Sequence, residues 1–341
     1  MATMKQIAQL AGVSRGTVDR VLNNRGAVND ATAQKIREIA QSLQYVPSRA
    51  AKSLAALRLN IRLGYILFPG ETNPFFGQVE QGLRKKAAEL AEYGVTVDIA
   101  HHDFSNQTLQ DELLDKMAND GVNGIVLCGF NTEKTAEKIN ELARAGIPLV
   151  TANSDIPDSD RLAYVGSNHL QSGRAAANLV DLISGGNARV GMLFGSHNML
   201  CHEERITGFQ DYIAEKAPEI HVISSAENND DDFESFSVVK NMLTEHPDIN
   251  VLYLASAGVY GACRAVESFP PQLRPKIISY DCVPSTELML RKGIICATIC
   301  QQPDYQGSKP LDILFNKLAM NADPSRKLYF TSPDIRILEN L

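Results

Sequence analysis

The sequence predicts an α/β protein with a small all-α helix-turn-helix headpiece at its N-terminus and a larger body of two parallel-sheet lobes. Three observations lead there. The chain has 341 residues, more than the ~250–300 at which a single core stops growing and chains divide into domains. Its charge is unevenly placed: residues 1–58 hold nine Lys/Arg against three acids, a net +6, while the remainder nets −13, so the overall −7 conceals a basic module on an acidic body. From residue 61 onward, short apolar runs alternate with amphipathic stretches, as in parallel strands covered by helices.

The first element is a short helix over 4–10, with Thr3 as N-cap and Ile7 and Leu10 on one face. Ala11-Gly12-Val13-Ser14 breaks the chain and restarts it, because Gly12 can take the turn conformation and Ser14 can cap the next helix. That second helix, 15–22, turns Val18, Val21 and Leu22 inward and leaves Arg15, Gly16, Asp19 and Arg20 outside. Asn29 caps a third helix near 30–43, whose stripe of Ala33, Ile36, Ile39, Ala40 and Leu43 completes a small core. Two short helices around a glycine turn, the second bearing exposed arginines, form a unit that enters the DNA major groove. The linker 46–58 (VPSRAAKSLAALR) is rich in helix formers yet too short to hold a helix alone, so it folds only against a partner or DNA. The chain divides into 1–45, 46–60 and 61–341.

In the body, strand-like runs fall at 62–68, 96–100, 124–128, 148–152, 163–165, 189–194, 251–254, 276–280 and 295–299. Helical stretches include 75–92, 106–119, 132–145, 170–184, 203–215, 235–245 and 258–267. So many units divide better between two sheets than in one. Ligands of open parallel sheets sit beyond the carboxyl ends of the strands. The residues just after the apolar runs therefore matter most: Asn73-Pro74-Phe75-Phe76, Asn153-Ser154, Ala255-Ser256, Asp281 and Gln301. Polar groups beside aromatic rings suit a sugar, whose hydroxyls take hydrogen bonds while its C–H face lies on the rings.

Several function classes are set aside. Apolar content of 44% and charged content of 21% are ordinary for a globular protein. The N-terminus lacks a secretory pattern and no apolar run reaches a membrane-spanning length, so a cytoplasmic location without membrane contact is expected. Six scattered cysteines read as reduced thiols, and no metal or cofactor is assigned. No phosphate loop occurs and the seven histidines are dispersed, with His101-His102 the one adjacent pair, so no enzyme is expected. A transport binding protein would share the body but not the basic headpiece.

The headpiece closely resembles the LacI family of transcription regulators, through Ile7-Ala8, Ala11-Gly12-Val13-Ser14, Thr17-Val18, Arg20-Val21-Leu22-Asn23 and Tyr45-Val46-Pro47 ahead of Arg49-Ala50-Ala51-Lys52-Ser53-Leu54. The resemblance implies DNA contacts by Lys5, Ser14, Arg15, Gly16, Thr17, Arg20 and Asn23. Arg15, Gly16 and Arg20 stand at the base-reading positions, where an arginine can bond guanine bidentately. Gly16 supplies no side chain there, and Asp19 replaces the usual serine; it can orient Arg15 or accept from a cytosine amine, so the operator departs from the commonest family sequence. In the linker the resemblance implies a hinge helix, paired between subunits, with Leu54 wedged into the minor groove, Ala51 beside it and Arg49 at the backbone. Interdomain packing by Leu54 is the alternative.

The body, from about 61 to 335, resembles the ribose-binding-protein superfamily of periplasmic sugar-binding proteins. Its carriers are Asn73-Pro74-Phe75-Phe76, Gly82, Gly146-Ile147-Pro148, Arg205 with Gly208-Phe209, Tyr280-Asp281, Ala297-Thr298-Ile299, Gln301, Pro303-Asp304 and Gly307. Carried over residue by residue, the ligand contacts are Asn73, Phe75, Phe76, Asn153, Ser154, Arg205, Phe233, Asp281 and Gln301. Asn153-Ser154 stands where ribose binders have Asp-Arg, and Ala255-Ser256 where they have Asn-Asp, which favours another sugar, a polyol or a sugar derivative. A non-sugar metabolite on the same scaffold is the alternative. The expected lobes are 61–160 with 290–320 and 161–289 with 321–341, hinged near 158–162, 285–292 and 318–324. The expected assembly is a homodimer, or a dimer of dimers, on a pseudo-palindromic double-stranded operator.

Overall fold

The computed structural model describes residues 3–22, 28–43, 45, 57, 60–103 and 106–341. Three helices open the chain: α1 (Met4–Ala11), α2 (Arg15–Leu22) and α3 (Asp30–Ser42). Thr3 and Gln6 form a reciprocal capping box at the start of α1. Gly12 ends that helix in the left-handed conformation at φ +74°. Ser14 Oγ then accepts the Thr17 N–H at 3.1 Å, and Asn29 Oδ1 accepts the Ala31 N–H at 3.0 Å. The core they enclose is Ile7, Ala8, Ala11, Val18, Val21, Ala33, Ile36 and Ala40. Leu10 departs from expectation, 59% exposed, because Ala8 and Ala11 share the inward face with Ile7 in its place.

The body begins with β1 (Arg62–Leu67), α4 (Pro74–Ala91), β2 (Thr96–His101), α5 (Gln107–Asn119), β3 (Gly124–Leu127), α6 (Glu133–Arg144), β4 (Leu149–Ala152) and β5 (Ala163–Gly166). It continues through α7 (His169–Ser184), β6 (Ala188–Phe194), α8 (Leu200–Lys216), β7 (Ile220–Glu227), α9 (Asp232–Glu245), β8 (Val251–Leu254), α10 (Val259–Glu267) and β9 (Lys276–Tyr280). The last elements are α11 (Pro284–Arg291), β10 (Ala297–Cys300), α12 (Pro303–Met320), β11 (Leu328–Phe330) and β12 (Asp334–Arg336).

Two six-stranded sheets result, ordered β2-β1-β3-β4-β5-β11 and β7-β6-β8-β9-β10-β12. Every pairing is parallel except β10 with β12. In each sheet the strand order reverses beside the first strand of the unit, which opens a crevice at the carboxyl ends. Apolar side chains on both faces bury the strands: β3, β4, β5 and β8 have no exposed residue. Helix α4 packs on α12 in the first lobe and α7 on α8 in the second. Glycines allow these close approaches, since a Cβ on Gly307 would lie 2.0 Å from the Val79 carbonyl oxygen and one on Gly208 2.0 Å from that of Leu170.

Strand membership corrects the expected lobe limits. Strand β5 pairs with β4 in the first sheet, so the chain first crosses between lobes at 166–169, not at 158–162. The 158–162 segment that reads as a hinge belongs to a loop within the lobe, closed by an Arg161–Asp155 ion pair. Strand β10 pairs with β9 in the second sheet, which moves the second crossing from 285–292 to 300–303. Strand β11 pairs with β5, so the third lies at 330–334 and not at 318–324.

Candidate functional site

The carboxyl ends of the two sheets bring thirteen residues around one hollow: Asn73, Phe75, Phe76 and Asn153 from the first lobe, and Met199, Cys201, His202, Arg205, Asp230, Ser256, Ala257, Asp281 and Gln301 beyond the first crossing. It measures about 30 Å³, space for roughly two waters. A second hollow of about 50 Å³ adjoins it and shares Asn73, Phe75, Asp230, Ser256, Ala257 and Asp281.

Local sequence sets these side chains. Asn73 caps α4, its Oδ1 accepting the Phe75 N–H at 3.1 Å, which fixes the aromatic pair in the first turn. The Phe75 and Phe76 rings stand edge to face, their centroids 5.3 Å apart. Asn153, Asp230 and Asp281 all have φ near +60°, at +66°, +58° and +64°. Asn and Asp tolerate that left-handed conformation better than other side-chain-bearing residues do.

Arg205 organises the floor. It is 3% exposed, its guanidinium lies 3.8 Å above the centre of the Tyr280 ring, and Nη1 donates to the Ala255 carbonyl at 2.7 Å. Its Nη2 donates to Gln301 Oε1 at 2.6 Å, and Gln301 Nε2 donates in turn to both Asp281 oxygens at 3.0 and 2.9 Å. Burial pushes the Asp281 carboxyl up to about 6, against the downward pull of Arg205 and the Gln301 hydrogen bonds. Asp230 Oδ1 accepts the Ala257 N–H at 2.7 Å, and His202 Nδ1 accepts the Ser196 N–H at 3.0 Å. The site thus offers carboxylates, amides and one arginine, a set that recognises hydroxyls by paired donors and acceptors.

Seven of the nine expected residues meet here: Asn73, Phe75, Phe76, Asn153, Arg205, Asp281 and Gln301. Ser154 does not line the hollow; it is fully buried and its Oγ accepts the Cys201 N–H at 3.4 Å. Phe233 is a correction: in the first turn of α9 it is 87% exposed and faces solvent. Asp230, His202 and Met199 escaped the sequence reading. Asp230 follows β7, whose half-exposed residues hide its strand character, and the other two stand at the start of α8 after a loop.

On the headpiece, Ser14, Arg15, Gly16 and Arg20 are exposed along α2, Thr17 is half-buried, and Lys5 is exposed on α1. Arg20 Nε bonds back to the Gly16 carbonyl at 3.3 Å, and Ser14 Oγ lies 2.9 Å from Thr17 Oγ1. Asn23, Arg49, Ala51 and Leu54 lie outside the described residues. All six cysteines are unpaired, and among the described residues no cluster of His, Cys, Asp and Glu could hold a metal. No described helix is long and apolar enough to cross a membrane.

A basic helix-turn-helix unit ahead of two lobes that meet on a polar hollow defines a DNA-binding regulator governed by a small molecule. The chain belongs to the periplasmic binding protein domain family over residues 64–322, and ahead of it residues 3–48 form a DNA-binding domain that matches the lacI family of bacterial regulatory proteins. It is 25% identical over 338 residues to the ribose operon repressor of Escherichia coli (strain K12), covering 97% of each chain. It is 27% identical over 213 residues to the HTH-type transcriptional regulator DegA of Bacillus subtilis (strain 168), covering 62% of this chain and 61% of DegA. The crystal structure of GanP, a glucose-galactose binding protein from Geobacillus stearothermophilus, superposes with a TM-score of 0.75 at 28% identity, over 82% of this chain and 99% of GanP.

Proposed function

We propose that the protein is a repressor whose affinity for its operator is set by a small carbohydrate, or a carbohydrate derivative, bound between the two lobes. The observation that carries this reading is the convergence of Asn73, Asn153, Arg205, Asp281 and Gln301 from separate strand ends beside the Phe75–Phe76 pair. Likeness to a ribose operon repressor and to a glucose-galactose binding protein supports the choice of ligand class.

The mechanism rests on movement. A site lined this way takes a ligand in a pocket of about 300–1,000 Å³, so the lobes part at the three crossings to admit one and close upon it. In a homodimer, closure shifts one lobe against its neighbour and changes how the two 46–58 segments pair on DNA, with Leu54 in the minor groove and Arg15 and Arg20 reading bases. The effector controls DNA affinity only to the extent that it binds the two arrangements unequally.

A thermal-shift panel of pentoses, hexoses, polyols, sugar acids, sugar phosphates and purines tests this. A ligand at a hundredfold excess over its Kd stabilises the protein by about 2.7 kcal/mol. A carbohydrate hit that is lost in Asp281→Asn supports the reading; Asn keeps the left-handed backbone of position 281 unstrained. A folded protein that no carbohydrate shifts overturns it.

A further inference from the structure

A closed ring of hydrogen bonds runs beside the hollow. Asn153 Nδ2 donates to Gln306 Oε1 at 3.4 Å, and Gln306 Nε2 donates to the Gln301 carbonyl at 2.8 Å. Arg205 Nη2 reaches Gln301 Oε1 at 2.6 Å while its Nε donates to His169 Nδ1 at 3.3 Å. His169 Nε2 closes the ring on the Asn153 carbonyl at 2.7 Å. None of the five residues is more than 6% exposed.

The chemistry fixes every direction of this ring. Arginine only donates, so His169 Nδ1 must keep its lone pair and Nε2 must carry the proton it gives to Asn153. A second proton on the imidazole would face the guanidinium, and burial together with Arg205 holds His169 far below the usual histidine range. The Asn153 carbonyl also accepts the Tyr164 hydroxyl at 2.8 Å, which anchors it to β5.

The ring straddles two of the three crossings. Asn153 belongs to the first lobe, and His169 is the first residue of α7 just past 166–169. Gln301 follows the last residue of β10, and Gln306 lies on α12 just past 300–303. Neither His169 nor Gln306 lines the hollow. We propose that His169 and Gln306 are positioning residues of an interlobe latch, which braces both crossings and holds Arg205 and Gln301 in place for the ligand. The latch stands whatever the effector proves to be.

Hydrogen exchange read by peptide mass spectrometry on the full chain tests it. His169→Phe removes the donor and the acceptor, and peptides spanning 153–169 and 300–306 then exchange about tenfold faster through local opening, while β1 and β6 peptides stay as protected as before. His169→Gln, whose amide both donates and accepts, restores protection, and Gln306→Met repeats the loss from the other crossing. Unchanged exchange in both His169→Phe and Gln306→Met overturns the latch. So does a His169→Gln protein as open as His169→Phe, because packing alone would then account for the position. If His169→Phe fails to fold, Gln306→Met decides the question.

Discussion

Gln301 holds Asp281 by one nitrogen, donating Nε2 to both carboxylate oxygens at 3.0 and 2.9 Å. That amide is oriented from its other side by Arg205, so the acid, the amide and the base form one unit on the floor of the cleft.

Stability must depend on pH through this acid. Burial pushes Asp281 up to about 6, with Arg205 and Gln301 limiting the rise and Asp230 adding to it. Its folded value lies above the unperturbed ~3.9. Its contribution is therefore complete below about pH 4 and is lost as pH rises through about 6. Asp281→Asn does not titrate, so its urea midpoint relative to the parent should climb between pH 5 and pH 7. A difference that stays constant across that range contradicts the burial of an ionising Asp281.

The fold was legible in the sequence wherever the signal is local. Caps such as Thr3, Ser14 and Asn29, the Gly12 turn and the apolar runs of β1, β3 and β8 each declare themselves within a few residues. The lobe crossings are not local: β5 belongs with β11 across more than 160 residues, and nothing near 163–166 reveals that partner. The cleft followed the same division. Strand ends gave Asn73, Asn153, Asp281 and Gln301, whereas Asp230 was hidden behind the half-exposed edge strand β7. Phe233 misled because it came by resemblance alone, and in this chain it begins the outer face of α9.

Two glycines should respond oppositely to alanine. At Gly208 the new Cβ meets the Leu170 carbonyl oxygen at 2.0 Å, so α7 and α8 must separate, at a cost of about 1–3 kcal/mol for overpacking. At Gly16 the nearest atom is Ser14 Oγ at 3.7 Å, and replacing an exposed helical glycine gains about 0.5–1 kcal/mol. Denaturation of the two variants checks both signs, the second on the headpiece transition.

On DNA, Arg20→Ala should cost about 1–3 kcal/mol of operator affinity and relax preference at one base pair per half-site. Lys5→Ala should weaken binding evenly across sequences and flatten the salt dependence. Competition anisotropy on an operator selected from random DNA separates these outcomes. An Arg20→Ala protein with unchanged sequence preference contradicts base reading by that side chain.

The claim that a carbohydrate in the cleft governs DNA binding is tested most directly by operator anisotropy with and without the stabilising sugar, in the parent and in Asp281→Asn. The sugar is expected to change the operator Kd of the parent at least about fivefold, the low end of allosteric coupling of about 1–3 kcal/mol, and to leave Asp281→Asn unmoved. A sugar that binds and stabilises the protein while the operator Kd stays the same would contradict it.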